Sequence, residues 1–155
     1  MQLIQAIFNN FTDSQILNID KKNIDSYFKK VDVIVLAGFQ GINTRGFITS
    51  LGRGGSDTTA VAIAAATKAK RCDIYTDVEG IYSTDPNIEP KAKKISKVSY
   101  EEMLEMSSMG AKVLHRRSVA LAMKNNLTLQ VLSSLSNNEG TYVVDEKHLI
   151  EKDPR

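Results

Sequence analysis

Much of what often decides a chain's class is scarce here. The 155 residues hold one cysteine, Cys72, which excludes an intramolecular disulfide and suits a reducing cytoplasm. It lies in an apolar run, where a buried, unreactive thiol is the expected state. There are two histidines, His115 and His148, too few and too far apart for a metal cluster. No apolar stretch approaches the roughly 20 residues of a membrane span. Met1 is not followed by a basic segment and an apolar export core, so a cytoplasmic protein is expected, with no membrane partner. Charge of one sign is also lacking. Twenty Lys and Arg against 18 Asp and Glu leave a net +2 spread along the chain, which argues against nucleic acid as a partner. The length and the 42% apolar content suffice for one domain with a real core.

The most informative stretch is TSLGRGGSDTTAVAIAAATKAKR, residues 49–71. Its alanines favour a helix and leave room for close packing. Ser56 and Asp57 stand where an N-cap is expected. Two mechanisms account for Gly52, Gly54 and Gly55. Glycine reaches backbone conformations closed to other residues, so the stretch can be a tight turn. Alternatively, bare amides at a helix N-terminus receive an anion. Arg53 within the loop favours the anion, because a guanidinium clamps a carboxylate or phosphate with two parallel bonds. No Gly-Lys-Ser/Thr follows, as a Walker loop requires, and the G-x-G-x-x-G spacing of a dinucleotide loop fails at Asp57.

Around this stretch the elements alternate. Residues 25–30 read as a helix end, and VDVIVLAGF (31–39) as a strand covered on both faces. The polar segment 40–57 connects it to the alanine-rich helix. CDIYTDVEGIY (72–82) is a second strand with a loop from Asp77, and TDPNIEPK (84–91) is a loop. Ser99 and Glu102 form a capping box before a helix over 100–107, which Gly110 ends. A further helix is predicted over 111–125, a third strand over 127–134 and a fourth over 141–144. The order indicates an α/β three-layer sandwich with a mainly parallel sheet. Residues 1–145 form the domain and 146–155 a polar tail or linker. Ligands of such sheets bind at the carboxyl ends of the strands, which predicts one rim holding Phe39 to Gly41, Asp57 and the loop after Tyr75.

Five blocks in order, AGFQG (37–41), TSLGRGGSDTTA (49–60), DIYTDVEGIYSTDP (73–86), MGAKVLH (109–115) and RSVALA (117–122), resemble the aspartate kinases of the amino acid kinase family. The resemblance implies transfer of the ATP γ-phosphoryl group to the side-chain carboxylate of L-aspartate, with electrostatics dominating catalysis. By position, Arg53 would hold the aspartate α-carboxylate, with Gly54, Gly55 and Ser56 lining the pocket and Phe39 beside it. A core role serves Phe39 equally well. Thr76, Asp77, Tyr82 and Val113 would meet the nucleotide. Lys112 would stabilise charge on the phosphoryl group, and Asp57 would orient the catalytic lysines. Mg2+ is expected to be held chiefly by ATP and water.

The match also departs from the family. The Lys-Phe-Gly-Gly-Thr-Ser block that opens its members is absent, as is the regulatory module that follows their kinase domain. Asn87 replaces a usual arginine, and Arg116 stands where proline is common. The expectation is therefore a truncated, C-terminal part of a catalytic domain, inactive by itself. It would be completed by a separate N-terminal half or assemble as a homo-oligomer. The alternative is a nucleotide-binding remnant without catalysis.

Overall fold

The structure is a computed structural model and describes residues 4–7, 14–111 and 113–150. The chain divides into two compact units, Met1–Ala69 and Lys70–Arg155.

In the first unit, a four-stranded sheet runs in the order β2-β1-β3-β4, with β1 at Ile4–Ile7, β2 at Gln15–Ile19, β3 at Gln40–Ile42 and β4 at Ile48–Ser50. β1 is parallel to β3, while the β1–β2 and β3–β4 pairings are antiparallel. Helix α1 (Lys21–Phe28) is capped by Asp20, whose carboxylate accepts the Asn23 amide at 3.1 Å. Helix α2 (Gly55–Thr67) packs against α1 and β2. Its alanines permit that close approach, and Ile24, Leu51, Val61, Ala62 and Ala64 are buried.

Two expectations change in this unit. The polar segment after residue 39 is not a plain connection but a β3–β4 hairpin. Its turn is held by Asn43, whose side-chain oxygen accepts the Arg45 and Phe47 amides, each at 2.9 Å. Residues 31–39 do not form the strand that their composition predicts. Val31 is instead drawn into the end of α1, donating its amide to the Tyr27 carbonyl at 3.1 Å. An apolar run becomes a strand only where a neighbour supplies the ladder, and none among the described residues pairs with this one.

In the second unit, the sheet order is β5-β9-β10-β8, with β5 at Cys72–Thr76, β8 at Lys97–Ser99, β9 at Leu129–Ser133 and β10 at Thr141–Val144. β5 runs parallel to β9 and β8 parallel to β10, while β9 and β10 are antiparallel. A small ribbon pairs β6 (Ile81–Tyr82) with β7 (Lys94–Ile95). The α/β class predicted from the alternation of elements is the class of this fold.

Helix α3 (Tyr100–Ser108) carries the predicted capping box in full. Ser99 Oγ accepts the Glu102 amide at 3.1 Å, and the Glu102 carboxylate accepts the Ser99 amide at 2.9 Å. Helix α4 (Arg116–Lys124) starts five residues later than the periodicity of its apolar positions indicates. His115 caps it, accepting the Arg117 amide on Nδ1 at 3.3 Å. Before it, Leu114 is buried and its carbonyl accepts the Ser107 hydroxyl at 3.1 Å, which fixes that stretch outside the helix. Met103, Val119, Ala122, Leu129, Val131 and Val143 fill the core between helices and sheet, and Cys72 is buried on β5. The charged tail begins with one helical turn, α5 (Lys147–Ile150).

Candidate functional site

The glycine loop of the first unit is built from backbone necessity outward. Gly52 and Gly54 both have φ of 71°, in the left-handed region that side chains disfavour. Gly55 has another constraint: a Cβ there would stand 2.9 Å from Phe39 Cδ2 and 3.0 Å from Leu51 Cβ. The Gly55 amide donates to the Gly52 carbonyl at 3.0 Å, and the Gly52 amide to Ser50 Oγ at 3.1 Å. The turn explanation thus accounts for all three glycines.

The anion explanation rests on what the turn leaves over. Gly54, not Ser56 or Asp57, is the N-cap of α2, and no side chain caps the helix. The predicted caps, Ser56 and Asp57, lie two and three residues past Gly54, inside the first turn, because the left-handed Gly54 starts the helix earlier than a Ser or Asp cap would. Ser56 is exposed and its hydroxyl is 3.4 Å from Asp57 Oδ1. Among the described residues, the amides of Arg53, Gly54 and Ser56 have no acceptor, and the exposed Arg53 guanidinium has no partner. Open amides, a helix N-terminus and an exposed guanidinium therefore share one bend.

Phe39 stands over that bend. It is 48% exposed, which removes a core role, and its φ of 67° is rare for an aromatic residue. Two hydrogen bonds hold it there. Its amide donates to Thr59 Oγ1 at 3.2 Å, and its carbonyl accepts the Leu51 amide at 2.9 Å. Strain of this kind persists only where the surroundings over-determine it, and it concentrates at binding sites. Thr59 was not singled out by sequence reasoning; nothing marks it among the small residues of the helix.

The second unit carries the residues predicted for the nucleotide. Thr76 ends β5, its hydroxyl donating to Asp77 Oδ1 at 3.1 Å. The Thr76 carbonyl accepts both the amide and the hydroxyl of Ser134, at 2.8 and 3.0 Å, which ties the end of β5 to the segment after β9. Tyr82 is half-buried on β6. The loop between Asp77 and Tyr82 is fastened by Thr141, whose hydroxyl accepts the Ile81 amide at 2.8 Å and donates to the Ile95 carbonyl at 2.5 Å. Thr141 and Ser134 hold these two segments in place, and no local pattern in the sequence marks either of them. Val113 is half-buried in the stretch before α4. Lys112 lies outside the described residues. Asn87 closes an Asx turn on Asp85, donating its amide to Oδ1 at 2.9 Å, a local role for the residue that departs from the family pattern.

Residues 1–133 match the family model for the amino acid kinase family. The chain belongs to the amino acid kinase family. Within it, the similarity is to aspartate kinases. The chain is 51% identical over 136 residues to an aspartokinase of Bacillus sp. (strain MGA3), covering 88% of this chain and 33% of that one. It is 52% identical over 139 residues to an aspartokinase of Helicobacter pylori, covering 90% and 34%. Among solved structures, Escherichia coli aspartokinase III in complex with aspartate and ADP superposes with a TM-score of 0.86 at 33% identity, over 93% of this chain and 33% of that one. The chain thus spans about a third of the length of the relatives it matches.

Proposed function

We propose that this chain supplies the aspartate cradle and part of the nucleotide rim of an aspartate kinase. The observation that carries the proposal is the bend at 52–56, where the exposed Arg53 and three amides without an acceptor among the described residues stand together at the start of α2. Arg53 grips the α-carboxylate of aspartate, a charge-assisted contact contributing about 1.5–3 kcal/mol. Gly54, Gly55 and Ser56 line the same pocket, and Phe39 is its apolar wall. That the related E. coli enzyme was solved with aspartate and ADP supports this choice of ligands.

Thr76, Asp77, Tyr82 and Val113 border the nucleotide. A side-chain carboxylate oxygen of aspartate attacks the γ-phosphorus, the bond to the β-phosphate oxygen breaks, and aspartyl phosphate and ADP result. Two anions must meet, so the main contribution is charge compensation held in place beforehand. Lys112 compensates the transferring group and Asp57 orients the catalytic lysines. Magnesium enters with the nucleotide phosphates and is held chiefly by them and by water. A nucleotide-binding role without turnover is the second reading, one that needs only the Thr76–Tyr82 rim held by Ser134 and Thr141.

Trapping the acyl phosphate with hydroxylamine tests the first reading. The chain would be assayed with ATP, magnesium and aspartate, alone and co-expressed with the segment of the Bacillus aspartokinase that precedes its 136 matched residues. Product only in the co-expressed sample is expected. No product in either, with ADP still bound, supports the second reading. Phosphorylation of another acid in place of aspartate contradicts the first.

A further inference from the structure

Thr58 and Thr59 look interchangeable in the sequence, yet the fold gives them different duties. Both are buried near the start of α2. Thr58 Oγ1 donates to the Gly54 carbonyl at 2.8 Å, and Thr59 Oγ1 to the Gly55 carbonyl at 2.7 Å. Such bonds, four residues back, are an ordinary habit of threonine within a helix. Among the described residues, only Thr59 of the two also accepts from outside the helix. It takes the amide of Phe39, 20 positions away, at 3.2 Å. One hydroxyl uses its proton on Gly55 and a lone pair on Phe39.

Gly55 and Thr59, four apart, share a face of α2. That face meets Phe39 at two points. A Cβ on Gly55 would lie 2.9 Å from the ring atom Cδ2 and 3.5 Å from Phe39 Cα, while Thr59 holds the amide. Thr59 is only 3% exposed. A valine there would fill the same space and leave the Phe39 amide without that acceptor.

We propose that Thr59 is a positioning residue of the carboxylate bend: its hydroxyl keeps the Phe39 ring against the bend and so sets the affinity for the amino-acid substrate. The proposal rests on the kinase reading above. Phe39 escapes its φ of 67° unless the surroundings hold it on both sides. Leu51 holds the carbonyl and Thr59 the amide. With Leu51 alone, the peptide before Phe39 turns toward negative φ and carries the ring off the bend, while Arg53 and its neighbouring amides stay. Being buried, Thr59 acts through Phe39.

Three variants test this. In the full chain, the Phe39 amide should exchange about tenfold or more faster in Thr59→Val than in the unsubstituted protein. Thr59→Ser, which keeps the hydroxyl, should restore the original rate. In the sample co-expressed with the Bacillus segment, Thr59→Val should bind L-aspartate about three- to tenfold more weakly, the weight of one hydrogen bond, with ADP affinity retained. Thr59→Ser should recover that affinity. Thr58→Val, which loses only a bond within the helix, should keep it within about twofold. Should Thr59→Val strip α2 of its protection, Thr59→Ala takes its place with the same expectation. Unchanged exchange at Phe39 overturns the proposal, as does failure of Thr59→Ser to recover binding. Equal weakening in Thr58→Val would trace the effect to the helix start in general and also overturn it. Aspartate binding that survives Thr59→Val undiminished refutes the proposal and leaves the kinase reading intact; no aspartate binding by the unsubstituted sample refutes that reading and the proposal with it.

Discussion

Gly55 packs against the Phe39 ring so closely that a Cβ on the glycine would lie 2.9 Å from Cδ2. The contact joins the start of α2 to the strained residue before β3, and so sets the shape of the bend around Arg53. Gly55→Ala should lower stability by about 1–3 kcal/mol through overpacking. Leu51, 3.0 Å away on the other side, leaves the methyl group little room to escape. Denaturant titration measures the loss, and an unchanged midpoint would show that Phe39 swings aside at no cost.

Gly140 is under tighter constraint. Its φ is 72°, and a Cβ there would meet the Val131 carbonyl oxygen at 1.9 Å, a backbone atom that cannot rotate away. Gly46 has a φ of 84° but nothing within 4 Å. Gly46→Ala should cost about 1 kcal/mol from backbone conformation alone. Gly140→Ala should cost more than about 3 kcal/mol and disturb the β9–β10 pairing that also holds Thr141. Comparing the two thermal midpoints separates steric from conformational cost.

Tyr100, buried at the start of α3, predicts a loss of stability in alkali. Burial, then the carboxylates of Asp145 and Glu101, push its phenol up to about 12. An unfolded tyrosine ionises near pH 10. Above that pH the unfolded chain releases a proton that the folded chain retains, so stability falls as pH rises from about 10 to about 12 and is unaffected by this group below that window. Tyr100→Phe should flatten that part of the pH–stability curve, which denaturation at stepped pH would show.

What could be read in advance follows from how local each signal is. The Ser99–Glu102 box and the loop at 84–91 depend on neighbouring residues, while the strands at 72–76, 129–133 and 141–144 lie within the predicted runs because each finds its partner among the others. Residues 31–39 were misread because strand formation is decided by a partner elsewhere, not by the run itself. The start of α4 was misplaced because Leu114 sits at helical spacing but is held outside the helix through Ser107. In the candidate site, Arg53 and the glycines were legible as a block. Thr59, Ser134 and Thr141 were not, since each acts on a residue 20 or more positions away in the chain.

The central claim is that the bend at Arg53 receives the carboxylate of an amino acid, and amide NMR during an L-aspartate titration tests it most directly. In the chain co-expressed with the preceding Bacillus segment, the amides of Arg53, Gly54 and Ser56 should shift on titration. Arg53→Ala should weaken binding by about 10- to 150-fold, the equivalent of a lost charged hydrogen bond, while ADP affinity is retained. Equal aspartate affinity in the two proteins, with the shifts confined to other residues, would contradict the account.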